Sequence, residues 1–164
     1  ELVSKPYVRY SRTRPLSGHP GDFSSDKLSA LIAEIVRVES PIHVEELNRR
    51  VAEAFGLRRT GNRIQDAILM ARLKAEALGR ILRRNTFIWD PSMKQPAVRN
   101  RVDMNMDIER IAPEEIRVAA EKVNRVAYGL TTDAVVTEVA RSLGYQRVSA
   151  NICQYIRSAL KGHR

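Results

Sequence analysis

Arginine dominates the positions at which this chain could do chemistry. Arg58, Arg59 and Arg63 cluster around Thr60, Asn62 and Gln65, and Arg80, Arg83 and Arg84 follow after a helical run. A guanidinium is a planar fork of N–H donors that fits phosphate oxygens or a guanine edge, and Asn, Gln and Thr side chains can meet a base edge. Residues 58–84 carry eight Lys or Arg against two acids, a local charge of +6, whereas residues 25–57 carry four against six, or −2. The contrast returns later, with −1 over 113–145 and +4 over 146–164, where Gln146, Arg147, Ser149 and Asn151 stand at positions matching the first cluster. The expected ligand is therefore a polyanion. If Arg58, Arg59, Arg63, Arg83 and Arg84 each neutralise a phosphate, binding weakens by about 0.9 log units per contact for each log unit of salt.

Other chemistries find little support. The histidines His19, His43 and His163 share no metal-ligating spacing, and Cys153 is the single cysteine, so neither a zinc cage nor a disulfide scaffold is expected. No Gly-x-x-x-x-Gly-Lys phosphate loop, Gly-x-Gly-x-x-Gly turn, Gly-x-Ser-x-Gly elbow or Glu-x-Lys nuclease motif occurs. The acids gather instead in helix first turns, such as Glu45–Glu46 and Glu114–Glu115, where the helix dipole favours them. No catalytic residue, metal or cofactor is assigned.

The elements that must hold the arginines are legible from period and punctuation. Ser24-Ser25-Asp26 offers an N-cap to a helix whose apolar stripe is Leu28, Leu31, Ile32, Ile35 and Val36, and Ser40-Pro41 ends it. Ile42 begins a brief extended link. A second helix runs from His43 to Phe55, with Leu47, Val51 and Ala54 inward and Gly56 stopping it. The turn 57–61 leads into a third helix through about Leu78, with Ile64, Ala67, Ile68 and Ala71 facing the core. Ile81-Leu82-Arg83 and Phe87-Ile88-Trp89, around a polar turn, read as two short strands. Three helices followed by a hairpin form the pattern of a winged helix-turn-helix, in which the third helix enters the major groove and turn and wing meet the backbone.

The pattern is written twice. Shifting the sequence by 88 positions aligns residues 28–73 with 116–161 without a gap, and nine of the 46 pairs are identical, among them Arg37/Arg125, Gly56/Gly144, Arg59/Arg147 and Ile68/Ile156. In the second copy Pro113 opens the first helix, Thr131-Thr132-Asp133 the second, and Gly144 closes it; the third helix runs to Lys161, so a second wing is not expected. The fold class read from this is mainly α with a small β-hairpin, as tandem winged helix-turn-helix-like repeats. The divisions are an extended linker over 1–23, a first repeat over 24–90, a connector over 91–112 and a helical second repeat over 113–164. Tyr7 and Tyr10 are expected to drape the linker on the first domain, and Ile108 and Ile111 to form a short strand or apolar strap in the connector.

With 43% apolar and 29% charged residues and a net charge of +9, the chain reads as globular, and no apolar run is long enough to cross a bilayer. It starts at Glu1 rather than Met, which reads as a piece of something larger. Structural roles compete with functional ones at several positions. A charge cluster can be only a solvated helix face. Arg59 and Arg147 also suit bonds to the carbonyls that end the second helix, Trp89 suits the apolar anchor of the wing, His43 a helix N-terminus, and Cys153 a buried thiol.

Residues 40–47 (Ser-Pro-Ile-His-Val-Glu-Glu-Leu) and 50–64 (Arg-Val-Ala-Glu-Ala-Phe-Gly-Leu-Arg-Arg-Thr-Gly-Asn-Arg-Ile) carry a resemblance, as do 108–116 and 139–145. Over residues 25–161 the chain resembles an uncharacterised domain family at the C-terminal end of large bacterial superfamily 1 DNA helicase-related proteins, beside a nuclease domain similar to very-short-patch-repair endonucleases. The resemblance implies a non-enzymatic accessory module, with ATPase and nuclease work done elsewhere in the parent and residues 1–23 as the link from the nuclease. It implies a bacterial, cytoplasmic setting, nucleoid-associated when bound to DNA, with the upstream helicase and nuclease domains as partners and no membrane.

The expected function is thus binding of duplex or branched DNA through Arg58, Arg59, Thr60, Asn62, Arg63, Gln65, Arg80, Arg83, Arg84, Gln146, Arg147 and Asn151. The rival is a protein-docking or dimerisation unit on the same scaffold, forming a homo-oligomer or binding another protein. That rival predicts an exposed apolar patch on a third helix or strand edge.

Overall fold

The structure, a computed structural model, describes residues 3–162; His163 lies outside them. It is mainly helical, with six α-helices and a few two- or three-residue strands among the described residues. The chain divides into two compact units, Val8–Met93 and the residues up to Tyr7 together with those from Lys94 onward.

In the first unit, helix α1 (Ser25–Glu39) starts where the Ser24 hydroxyl accepts the Lys27 N–H at 3.2 Å. Its stripe of Leu28, Leu31, Ile32, Ile35 and Val36 is buried throughout. Pro41 forbids another turn, and the chain passes through strand β2 (Ile42–His43) into α2 (Val44–Ala54). His43 caps α2, its Nδ1 accepting the Glu45 N–H at 3.1 Å. Gly56, at φ 73°, turns the chain away, and α3 (Asn62–Ala77) buries Ile64, Ile68, Ala71 and Ala75 against α1 and α2.

Strands β3 (Leu82–Arg84) and β4 (Phe87–Trp89) form an antiparallel hairpin whose two-residue turn is set by Asn85 at φ 55°. The brief extended segment at Ile42 joins it: β2 pairs antiparallel with β4, Ile42 opposite Ile88 and His43 opposite Phe87, giving the order β2-β4-β3. This third strand buries Phe87, Ile88 and Trp89 over the helices and leaves β3 at the edge with all three residues exposed.

In the second unit, strand β1 (Lys5–Pro6) lies parallel to β5 (Arg99–Asn100), and α4 (Pro113–Val126), α5 (Thr132–Ser142) and α6 (Ala150–Lys161) build the core. The first residues of α4, α5 and α6 lie 88 positions after those of α1, α2 and α3. The pairs Leu28/Ile116, Leu47/Val135, Val51/Val139, Phe55/Leu143 and Ile68/Ile156 are buried at both members. Thr131 caps α5 and Ser149 caps α6 through hydroxyls that accept the Ala134 and Ile152 N–H groups.

Gly144 is the tightest backbone position. At φ 106° it lies where a Cβ would stand 2.6 Å from the Val102 nitrogen and 2.8 Å from that of Arg101. Gly144→Ala therefore combines left-handed strain with a backbone clash and is expected to cost about 2 kcal/mol or more, read as a lowered denaturant midpoint. A midpoint unchanged from the parent would show that this loop gives way without cost.

The expected divisions at 1–23 and 91–112 need correction. Residues 8–22 drape on the first unit, as expected of Tyr10, and belong to it: the Leu16 N–H donates to the Ala54 carbonyl at 2.8 Å, the Tyr10 N–H to Glu39 at 3.0 Å, and Tyr10, Leu16 and Phe23 pack on the first core. Lys5–Pro6 belongs to the second unit instead, and Tyr7 lies against Arg99 and Arg101 there rather than on the first domain. Nor is 91–112 merely a connector. Val98, Ile108 and Ile111 are core residues of the second unit, with Ile108–Arg110 in a 3-10 turn. Both segments lack helical period, so only the finished helices reveal the surfaces they cover.

Candidate nucleic-acid interface

The structure places Arg58, Arg59 and Arg63 on the loop and first turn of α3, and Arg83 and Arg84 on β3, all exposed. Arg58 and Arg59 have no hydrogen-bond or ion-pair partner among the described residues, so Arg59 does not bond the carbonyls ending α2. Arg63 pairs with Asp22, and Arg83 lies 3.6 Å from Glu76. Arg84 lies over the Trp89 ring, its Cζ 4.6 Å from the centroid. Such exposed pairs contribute little and are screened by salt, so these guanidiniums remain available to an anion.

Other expected members are engaged. Arg80 turns toward the start of α1, its Nη1 donating to the Ser29 hydroxyl at 3.2 Å and lying 3.7 Å from Asp26, so it is not grouped with the β3 arginines. Gln65 folds back, its amide donating to the Thr60 carbonyl at 3.2 Å, and Thr60 is half-buried. Asn62 is exposed at the start of α3. In the second unit Gln146 and Arg147 are exposed, but the Asn151 amide donates to Glu109 at 2.8 Å and that bond holds the Glu109 carboxyl below its usual range. Asn151 is thus a brace between α6 and the 3-10 turn. The structural positions fall similarly: Trp89 is buried in β4, and Cys153 is half-buried beside the second core.

Three arginines that periodicity did not single out, Arg50, Arg99 and Arg101, are buried. Arg50 on α2 donates through Nε to Glu39 at 2.8 Å, with Glu46 at 3.4 Å and Glu53 at 3.7 Å from its Nη1. In the second unit Arg99 and Arg101 each reach Glu115 at 2.6 Å, and the Tyr7 ring lies against both guanidiniums, 4.8 and 5.0 Å from its centroid. Burial alone would raise the Glu115 pKa, but Arg101 and Arg99 outweigh it and hold the carboxyl below its ordinary value. These arginines are fixed by carboxylates of their own units and offer nothing to a ligand. Glu39 and Glu115 come from other elements than the arginines they meet, at separations that no local pattern marks, while Glu46 and Glu53 lie one turn from Arg50 on α2.

Residues 22–66 match a family described as a protein of unknown function (DUF3320). The match spans α1, α2 and the start of α3, just over a quarter of the chain. It supports an uncharacterised domain family and carries no functional assignment. No curated protein and no solved structure matches the chain. Among the described residues, no three His, Cys, Asp or Glu side chains gather as a metal-holding group, and no helix is long and apolar enough to cross a membrane.

Proposed function

We propose that this chain is a non-catalytic DNA-binding module built from two related three-helix units, the first a winged helix. The order helix, strand, helix, helix, hairpin, with β2 flanking the second hairpin strand, supports the winged-helix reading of the first unit. The 88-residue register of helix starts supports relatedness of the second. In this reading the first turn of α3 meets base edges through Asn62, while Arg58, Arg59, Arg63, Arg83 and Arg84 hold phosphates. The observation that carries it is the pair Arg58 and Arg59, exposed in the turn before α3 with no partner among the described residues. The resemblance to a helicase-associated family makes a parent helicase or nuclease the natural context, with this module positioning duplex or branched DNA for it.

Fluorescence anisotropy with labelled duplex, single-stranded and forked DNA tests the proposal. Five phosphate contacts imply a log–log salt slope near −4.5, so affinity for duplex falls roughly 500-fold between 50 and 200 mM salt. A flat salt dependence, or no binding at the lower salt, would remove the DNA reading.

A further inference from the structure

The N-terminal segment brings one more arginine to the turn before α3. Residues 8–22 cross the first unit from the end of α1 to the start of α3, and polar contacts fix their course. The Tyr10 N–H donates to Glu39 at the end of α1, the Leu16 N–H to the Ala54 carbonyl at the end of α2, and Asp22 pairs with Arg63 on the first turn of α3. The stretch 16–22 is therefore anchored on both sides of the turn 57–61. Pro15 lies against Gly56, where an added Cβ would stand 3.4 Å from the proline Cβ. Arg14 comes just before that contact, and Arg58 and Arg59 follow just after Gly56.

Arg14 is exposed and, like Arg58 and Arg59, has no hydrogen-bond or ion-pair partner among the described residues. The other arginines of the segment reach elsewhere. Arg9 pairs with Glu53, and Arg12 turns back to the Tyr10 hydroxyl at 3.3 Å and to Glu34 of α1 at 4.0 Å. The carboxylates along this path are engaged in turn, Glu53 by Arg9 and Arg50 and Asp22 by Arg63, which leaves Asp66, a turn along α3, against three guanidiniums. Counted whole, residues 8–22 and 44–66 hold eight Arg against five Asp or Glu, a charge of +3. Cations gathered in this way repel one another unless an anion lies among them. The backbone bond at Leu16 and the fixed φ of Pro15 also lower the ordering cost of meeting one.

We propose, resting on the DNA reading of this face, that Arg14 is a further phosphate-binding residue and that the N-terminal segment forms part of the interface. A sixth contact takes the expected salt slope from near −4.5 to about −5.4.

The test titrates the whole chain against fluorescein-labelled duplex DNA by anisotropy at several salt concentrations. Arg14→Ala should weaken binding about fivefold near 0.1 M salt and lower the magnitude of the slope by about 0.9. Arg14→Lys should keep the parent's slope, since an ammonium on a phosphate releases the same counterion. Arg12→Ala removes the same charge from the same segment, but from the side that faces α1, and should leave the slope unchanged. Circular dichroism of every variant should match the parent, because both side chains are exposed. A slope that Arg14→Ala leaves as in the parent, or that Arg12→Ala lowers equally, would overturn the inference and leave the DNA reading in place. A parent chain that binds no duplex would overturn both.

Discussion

Charge reversal of Arg58, Arg63, Arg83 and Arg84 to Glu is expected to weaken binding to duplex DNA by about a thousandfold near 0.1 M salt. Counterion release alone is worth about 1 kcal/mol per phosphate contact at that ionic strength, and four contacts are removed before repulsion by the new carboxylates is considered. The salt slope should fall in magnitude by three to four units, at about 0.9 for each lost contact. Folding should survive, because all four side chains are exposed. Their interactions within the chain are the surface pairs with Asp22 and Glu76 and the stacking of Arg84 on Trp89, each worth about 1 kcal/mol or less. Arg37→Glu/Arg49→Glu, on the exposed sides of α1 and α2, is the matched control and should change affinity far less. A folded quadruple variant that binds like the parent would show that the face was wrongly assigned.

Glu115→Ala should destabilise the second unit by about 3–5 kcal/mol, because it leaves the guanidiniums of Arg99 and Arg101 buried without their carboxylate. For a unit of this size that lowers the thermal midpoint by roughly 15 °C or more. The single Trp, Trp89, is buried in the first unit, so its fluorescence follows that unit while far-ultraviolet circular dichroism follows both. Replacing the whole triad with apolar residues, Arg99→Met/Arg101→Met/Glu115→Leu, should cost much less than the single change, since removing all the charges also removes their desolvation penalty. If Glu115→Ala melts with the parent, the triad contributes nothing to stability.

The same carboxyl sets an acid limit. Its pKa is depressed in the folded chain relative to the ordinary Glu value of 4.5. Its stabilising contribution is therefore complete above about pH 4.5 and is lost as the pH falls toward the folded value. The second unit should lose stability on that side, and Glu115→Gln should flatten the dependence.

The tyrosines near this cluster behave differently. Burial pushes Tyr155 up to about 12, and Tyr145 is raised by the same cause, while their hydroxyls donate to the carbonyls of Ile111 at 2.8 Å and Met106 at 2.7 Å. Neither supplies a titration in the physiological range. They brace α6 and the chain after α5 against the segment that precedes α4.

The helices and their ends could be read from the residues alone because their causes are local. An apolar side chain every three or four positions, a hydroxyl or imidazole at the N-cap, and a proline or glycine at the end all act within a turn or two. The hairpin was legible for a similar reason, its turn being two polar residues between short apolar runs. The arginines of the turn before α3 and of β3 announced their exposure by composition, since nothing apolar could shelter so many of them.

Tertiary contact alone settled which cations were spent inside the molecule. Arg50 and Arg63 look alike in sequence, but α2 lays the first beside Glu39 while the second stays at the surface with Asp22. Arg99, Arg101 and Glu115 meet because β1, β5 and α4 converge, and the two-residue strands responsible are too short to carry a period. The same holds for Asn151, drawn to Glu109, and for the outward face of α3, whose Leu69 and Leu73 stay exposed opposite the buried Ile64, Ile68 and Ala71. A helix's period reveals that it has an apolar face; the number of neighbours it actually gains decides how much of that face is left to the solvent.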